Sequence, residues 1–227
     1  MTQTKIRSLQ TTMPNADGWM LVANTWTYAS ATTITVPSGA ASIYSVGDKI
    51  RFKQGATYKY FYVFTVADTL LTVTGGSDYT VATPTAITDV YYSHAANPIG
   101  FPHWFNYLAT LAATGDTLPT YELYDQAMFT IFGRTAQVII SKVSVGGGTA
   151  GSGATTELKV LLPFNSISIR STFGGYYVNG TGTASFLGGQ TIVGTKDLNL
   201  IKQGALFMCN DQNNDARELH ISITFEI

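Results

Sequence analysis

The sequence predicts an all-β protein in two parts, a small N-terminal antiparallel β-barrel followed by a C-terminal jelly-roll-like β-sandwich. Two observations lead to this prediction. Short stretches rich in Thr, Val, Ile, Tyr and Phe recur between Gly-, Pro- and Asn-rich turns. The last ten residues also alternate between apolar and polar side chains without a break. With 227 residues, the chain is long enough for one large domain or two of moderate size.

Residues 218–227 carry the strongest strand pattern in the sequence. Every second residue is large and apolar: Leu219, Ile221, Ile223, Phe225 and Ile227. Successive side chains of a strand lie on opposite sides, so the pattern predicts a strand with one buried face. Fully burying each of these side chains contributes about 1.5–3 kcal/mol. We therefore expect the second part of the chain to depend on this strand.

In the first part, five or six short extended stretches before residue 96 are typical of a small barrel. Residues 58–66 differ from the other stretches because both faces are apolar or aromatic. The faces are Phe61 and Val63 on one side, and Tyr60, Tyr62 and Phe64 on the other. A barrel wall buries only one of them, so we expect another domain, another subunit or a ligand to cover the second.

Two prolines, Pro98 and Pro102, separate the predicted parts. A residue that precedes proline is restricted to extended conformations, which interrupts regular structure. The predicted parts are an N-terminal arm at residues 1–16, a barrel at 17–96, a linker at 97–103 and a sandwich at 104–227. The arm either orders on a partner or is a frayed terminus. Residues 103–111 fit a helical stripe as well as a strand, and we interpret them as a strand.

Charge is distributed unevenly along this chain of low charge content. Residues 1–59 have a net charge of +4, residues 60–133 contain no Lys or Arg and have −6, and residues 134–227 have +1. The pattern either arises by chance or indicates a basic part that meets an acidic surface on another copy or another protein. The resulting interface candidates are Tyr58, Tyr60, Tyr62, Phe64, Lys49, Arg51 and Lys53. Nucleic acid is disfavoured as a partner because the chain has no clustered excess of positive charge.

Patterns typical of enzymes and metal sites are missing from the sequence. The histidines, His94, His103 and His220, are too scattered for a metal cage, so no metal or cofactor is expected. His220 falls on the polar face of the last strand, where a surface or subunit contact is the expected role. The single cysteine, Cys209, is interpreted as a small buried apolar residue. Acidic residues at 116–125 are expected to be solvated instead of forming a glycosidase pair.

Two further classes are disfavoured by the sequence. No apolar run reaches the roughly 20 residues of a membrane span. The first seven residues contain two basic side chains, but no apolar segment follows them, so we expect no signal peptide. The glycine-rich segment 146–153 has no predicted helix after it and is interpreted as a hairpin tip instead of a phosphate-binding loop.

Several motifs of the chain occur together in one class of proteins. In the first part these are Asp17-Gly18-Trp19, Thr25-Trp26-Thr27-Tyr28, Val46-Gly47-Asp48-Lys49-Ile50, Lys59-Tyr60-Phe61-Tyr62-Val63 and Phe101-Pro102-His103-Trp104-Phe105-Asn106-Tyr107. In the second part they are residues 129–143, the glycine-rich segment and Leu161-Leu162-Pro163-Phe164. With these motifs the chain resembles exterior proteins of tailed-bacteriophage virions, namely fibre, spike and head-decoration proteins with a C-terminal jelly-roll head. The resemblance implies a non-enzymatic, usually trimeric protein and carries over no catalytic residues.

The predicted function is therefore a non-enzymatic structural component of the virion exterior, as a capsid decoration or as a fibre or spike protein. We expect a homotrimer that contacts other virion proteins through its arm and barrel. The alternative is a receptor-binding module of a tail fibre that docks host surface carbohydrate through exposed aromatic rings. The candidates for that contact are Trp104, Tyr107, Tyr176 and Tyr177.

Overall fold

The computed structural model describes residues 16–83, 85–113, 116–120, 124–144, 158–167, 171–178, 184–202, 205–206 and 217–227. Three sequence predictions lie outside these residues. They concern the arm before residue 16, the glycine-rich segment 146–153 and Cys209. Within the described residues, no helix is long and apolar enough to cross a membrane.

Apart from one short 3₁₀ turn, all regular secondary structure of the described residues consists of β-strands, as the sequence predicts. In order they are β1 Met20–Leu21, β2 Thr27–Ser30, β3 Thr33–Thr35, β4 Lys49–Gln54, β5 Thr57–Ala67, β6 Leu70–Thr74, β7 Ile87–Ser93, β8 Phe105–Asn106, β9 Leu111–Ala112, β10 Tyr124–Phe132, β11 Thr135–Ser144, β12 Lys159–Leu161, β13 Ser171–Val178, β14 Ala184–Thr191, β15 Asp197–Lys202, β16 Ala205–Leu206 and β17 Arg217–Glu226. One short 3₁₀ turn, Ala40–Ser42, lies between β3 and β4.

The chain divides into two compact units. The first comprises residues 1–103 and 131–133, and the second comprises residues 104–130 and 134–227. The segment 97–103, which we interpreted as a linker, is thus part of the first unit. Phe101 is 7% exposed, and its ring packs against Trp19 and Tyr62. Burial of this ring explains why the segment does not behave as a free connection.

The first unit is an open seven-stranded antiparallel sheet, so the predicted closed barrel is wrong. The strand order is β1-β7-β4-β5-β6-β3-β2, which leaves β1 and β2 as edges. Both edge strands are short, with two and four residues. A barrel would need these edges to pair with each other, and short strands offer few hydrogen bonds for closure.

One face of this sheet carries the hydrophobic core of the first unit. Alternation along β4 places Ile50 and Phe52 inward, and Phe52 stacks on Phe61 of β5 at 5.1 Å between ring centroids. Around this pair pack Trp26, Ile34, Val36, Tyr44, Val63, Leu71, Val73, Val81 and Val90. Large apolar side chains from five strands, β3 to β7, and from three connecting segments thus share one core.

The second unit is a ten-stranded antiparallel sheet. Its order is β8-β10-β11-β17-β13-β14-β15-β12-β9, and β16 pairs with β15 off this path. The last strand, β17, lies between β11 and β13 and pairs with β11 over ten residues. Its odd-numbered residues from Leu219 to Ile227 are all buried, which confirms the predicted inward face. The other buried apolar residues include Val138, Ile140, Leu158, Val160, Leu162, Leu198 and Leu200.

The stretch 105–112 contains β8 and β9, which are the first and last strands in the order of this sheet. Phe105 pairs with Phe129 of β10, and Leu111 pairs with Val160 of β12. The interpretation of residues 103–111 as a strand therefore holds for 105–106 and 111, whereas residues 103–104 and 107–110 lie outside the strands. Phe129 also packs edge-on against Phe164 at 4.9 Å between ring centroids, so aromatic contacts join this stretch to the core.

Candidate functional site

The basic interface candidates lie on β4 opposite the tyrosines of β5. The antiparallel register pairs Lys49 with Tyr62, Arg51 with Tyr60 and Lys53 with Tyr58. Directly opposite residues of two strands lie about 4.5–5.5 Å apart at Cβ, so cations and rings alternate on one face. We call this set, with Trp19, Asp17, Tyr91 and Asp89, the cation–aromatic face.

Arg51 is held between two aromatic rings. Its guanidinium carbon lies 4.4 Å from the ring centroid of Trp19 and 4.5 Å from that of Tyr91. One terminal nitrogen is 3.4 Å from the Asp17 carboxylate, and the side chain is 18% exposed. Cation–π attraction strengthens as water is excluded. Arg51 therefore contributes to the cohesion of the first unit instead of presenting a free charge to a partner.

Lys53 is paired with a carboxylate that a backbone irregularity brings into position. The β4–β7 register shifts between Arg51 and Lys53, so β7 has one extra residue there. Within this bulge Asp89 has a φ of 49°, the one positive φ of a non-glycine residue in the described ranges. The Lys53 ammonium lies 2.7 Å from Asp89 and 4.9 Å from the Tyr58 ring centroid. The hydrogen bond to Asp89 raises the pKa of Lys53, with further contributions from the charges of Asp89 and Tyr58.

The aromatic side of β5 that we expected another subunit, domain or ligand to cover is covered by the first unit itself. Tyr62 is 2% exposed and contacts Phe101 at 5.0 Å between ring centroids. Tyr60 contacts both Phe101 and Tyr79, and Phe64 is half-buried. Because Phe101 comes from the predicted linker, the covering element is local to the chain.

Lys49 is buried beside a second polar cluster. The side chain of Asp48 is 8% exposed, accepts a hydrogen bond from the Ser45 amide, and lies 2.9 Å from Nδ1 of His94. Burial lowers the pKa of Lys49, and the charge of Asp48 opposes that shift. Lys49 is 4% exposed, so it is not available as the interface cation that the sequence predicted.

Tyr44 lies next to this cluster and packs edge-on against Trp26 and Tyr92. Burial, with smaller contributions from Tyr92 and Asp48, raises the pKa of Tyr44 to about 12. The neutral phenol is thus the form that the folded state stabilises.

The four carbohydrate-contact candidates do not form one exposed platform. Trp104 is 36% exposed, whereas Tyr177 is 9% exposed and cannot present its ring, because β13 places it on the inner side. The Tyr107 hydroxyl is buried without a hydrogen-bond partner, and burial strongly raises its pKa. Tyr176 lies in β13, and its side chain is outside the described set.

A polar cluster that the sequence analysis missed lies on β11 and β17. The Ser141 hydroxyl oxygen is 2.8 Å from His220 Nδ1, and His220 Nε2 is 3.3 Å from the Glu218 carboxylate. His220 and Glu218 are two residues apart and so share a strand face. Their alternation was visible in the sequence, but nothing there showed that Ser141 would lie directly opposite His220.

No group of three or more His, Cys, Asp and Glu side chains that could hold a metal ion occurs in the part of the chain that the structure describes. Comparison of the chain with protein-family models, with curated proteins and with solved structures gave no match. A functional interpretation therefore depends on the geometry of the chain itself.

Arg51→Met and Lys53→Met make a matched pair on the same strand face. We expect Arg51→Met to lower the free energy of unfolding by about 1–3 kcal/mol, since it removes a shielded cation between two rings and leaves the Asp17 carboxylate without its ion pair. Lys53→Met breaks an ion pair that solvent screens and should lower the free energy of unfolding clearly less than Arg51→Met does. Urea unfolding of both variants tests this order, and equal losses would contradict it.

Alkaline pH is expected to destabilise the first unit through Tyr44. Its pKa is higher in the folded chain, so its stabilising contribution is complete below pH 10 and is lost as pH rises through about 12. The shift corresponds to about 2–3 kcal/mol. Urea midpoints measured across this range should fall less steeply for Tyr44→Phe than for the wild type. Parallel slopes for the two proteins would show that Tyr44 does not carry the effect.

Proposed function

We propose that this protein is a structural component of the exterior of a tailed-phage virion, either a decoration protein or part of a fibre or spike, and that it assembles as a homotrimer. The all-β organisation in two antiparallel-sheet units agrees with the resemblance described above. A jelly-roll-like arrangement of the second unit stays a prediction within this proposal.

The observation that carries the proposal is the exposed side of the stretch 104–108. Residues 104, 106 and 108 are exposed, whereas Phe105 and Ala109 are buried, as in an extended chain with one outer side. Leu108 is 75% exposed and Trp104 is 36% exposed. Burial of a Leu side chain contributes about 1.5–3 kcal/mol, so an apolar surface of another copy that covered Leu108 would stabilise a contact between copies.

The cation–aromatic face supports a different role from the one the sequence suggested. Arg51 and Lys53 are paired with acids of the same unit, so this face stabilises the first unit. In our proposal, exposed apolar residues form the contacts between proteins. The expected contact of the first unit with other virion proteins is retained in the proposal. Its exposed apolar residues, Leu21 at 64% and Ile99 at 69%, are the candidates for that contact.

The alternative function, docking of host carbohydrate through exposed aromatic rings, has less support. Sugar stacking needs accessible ring faces, and among the four candidates Tyr177 is buried and Tyr107 has a buried hydroxyl. Trp104 is the candidate that supports this function, and the same exposure also suits a contact between copies.

The oligomeric state tests the proposal directly. We expect the full chain at micromolar concentration to have the mass of a trimer of 24.4 kDa subunits in light scattering coupled to size exclusion. Leu108→Asp should shift the mass towards the monomer with an unchanged circular dichroism spectrum, because it places a charge on the apolar contact. Leu21→Asp, at an exposed position of the first unit, is the matched control and should remain trimeric.

A stable wild-type monomer at that concentration would overturn the homotrimer. The virion location needs its own observation. Antibody against the protein should label the outside of intact phage particles in electron micrographs, and labelling that requires disrupted particles would contradict an exterior position.

A further inference from the structure

The outer face of the β11–β17 pair brings together a hydroxyl, an imidazole and a carboxylate. Ser141 and His220 are directly opposite in the antiparallel register, and Glu218 lies two residues before His220. The Ser141 oxygen to His220 Nδ1 distance is 2.8 Å, and the His220 Nε2 to Glu218 distance is 3.3 Å. The side chains of His220 and Glu218 are 26% and 36% exposed, and Ser141 is half-buried, so the cluster is in contact with solvent.

These three groups have the relation that nucleophilic catalysis requires. A serine becomes a nucleophile when a base lies within about 2.6–3.2 Å and a third group orients that base. The carboxylate beside Nε2 favours the tautomer that carries its proton on Nε2. In that tautomer Nε2–H donates to Glu218, and Nδ1, which carries no proton, accepts the hydrogen bond of the Ser141 hydroxyl. The arrangement follows the serine–histidine–acid pattern, with the two ring nitrogens exchanged.

We propose that Ser141 is a nucleophile that reacts with small carboxylic esters, with His220 as its general base and Glu218 as the residue that positions the imidazole. This inference is independent of the structural role proposed above. It concerns a chemical reactivity of the second unit, and the assembly of the protein does not depend on it.

The reaction proceeds in two steps, acylation of Ser141 and hydrolysis of the acyl-serine. The Ser141 oxygen bonds to the ester carbonyl carbon, and its proton passes to His220 Nδ1. The bond from that carbon to the alcohol oxygen then breaks, and the departing alcohol takes the proton from His220. In the second step water attacks the acyl-serine, His220 accepts a proton from the water, and Ser141 recovers it as the carboxylic acid leaves.

The expected rate is modest. A positioned general base contributes about 10²–10⁴-fold, whereas a single oxyanion donor contributes a further 10²–10³-fold. Backbone N–H groups in the middle of a sheet bond to neighbouring strands, so the described part of this face offers no assigned oxyanion donor. We therefore expect slow turnover of activated esters and a clear covalent label, instead of efficient hydrolysis.

Covalent labelling of the full chain with a fluorophosphonate probe tests the nucleophile. The Ser141 oxygen bonds to phosphorus and displaces fluoride, and the proton passes to His220. Peptide mass spectrometry should place the label on Ser141. Ser141→Ala should abolish it, and His220→Gln should slow it at least about 10-fold. Ser222→Ala is the matched control, because Ser222 lies on the same face of β17 opposite Ile139, and it should not change the rate.

Glu218 needs a readout that a purely structural role would not alter. In ¹⁵N spectra of the imidazole, the wild type should show the Nε2–H tautomer, and Glu218→Gln should lower its population together with the labelling rate. Circular dichroism of each variant confirms that the sheet is retained. Labelling of Ser141 no faster than that of Ser222, or equal labelling of wild type and His220→Gln, would overturn the proposal.

Discussion

The pairing of the last strand with β11 and β13 is the interaction on which the second unit depends. Ten antiparallel residue pairs join β17 to β11, and β13 pairs with its first half. This register fixes the face of every side chain, since a slip by one residue would turn the buried row from Leu219 to Ile227 outward. The same register places His220 opposite Ser141, so core packing and surface chemistry follow from one set of hydrogen bonds.

The first unit is organised by a different principle, since both sides of its sheet are packed. One side carries an aliphatic and aromatic core. On the other, Arg51 of β4 lies between the rings of Trp19 and Tyr91, and Phe101 covers Tyr62. One ion pair of this unit joins the two oppositely charged segments of the sequence, because Lys53 of the basic segment 1–59 pairs with Asp89 of the acidic segment 60–133. Opposite charges that are separated along the chain can neutralise each other inside one unit.

Period-two patterns predicted most strands and the buried face of β17, because alternation is a local property. Register is not local, and it determined what the sequence could not predict. Phe101 covers a tyrosine 39 residues away, and Ser141 faces a histidine 79 residues away. The barrel prediction for the first unit was wrong for the same reason, since no local pattern indicates whether the edge strands β1 and β2 pair with each other. Tyr176 and Tyr177 are neighbours in the sequence, and alternation alone does not say which one is inward.

Hydrogen exchange of backbone amides tests the central position of β17 most directly. Strands between two partners exchange through the larger openings of a domain, whereas edge strands exchange through local fraying. We expect the amides of residues 218–220, which lie between β11 and β13, to be among the slowest of the second unit and to exchange together with those of β11. Exchange of these amides as fast as that of β8 and β9 would contradict a central β17.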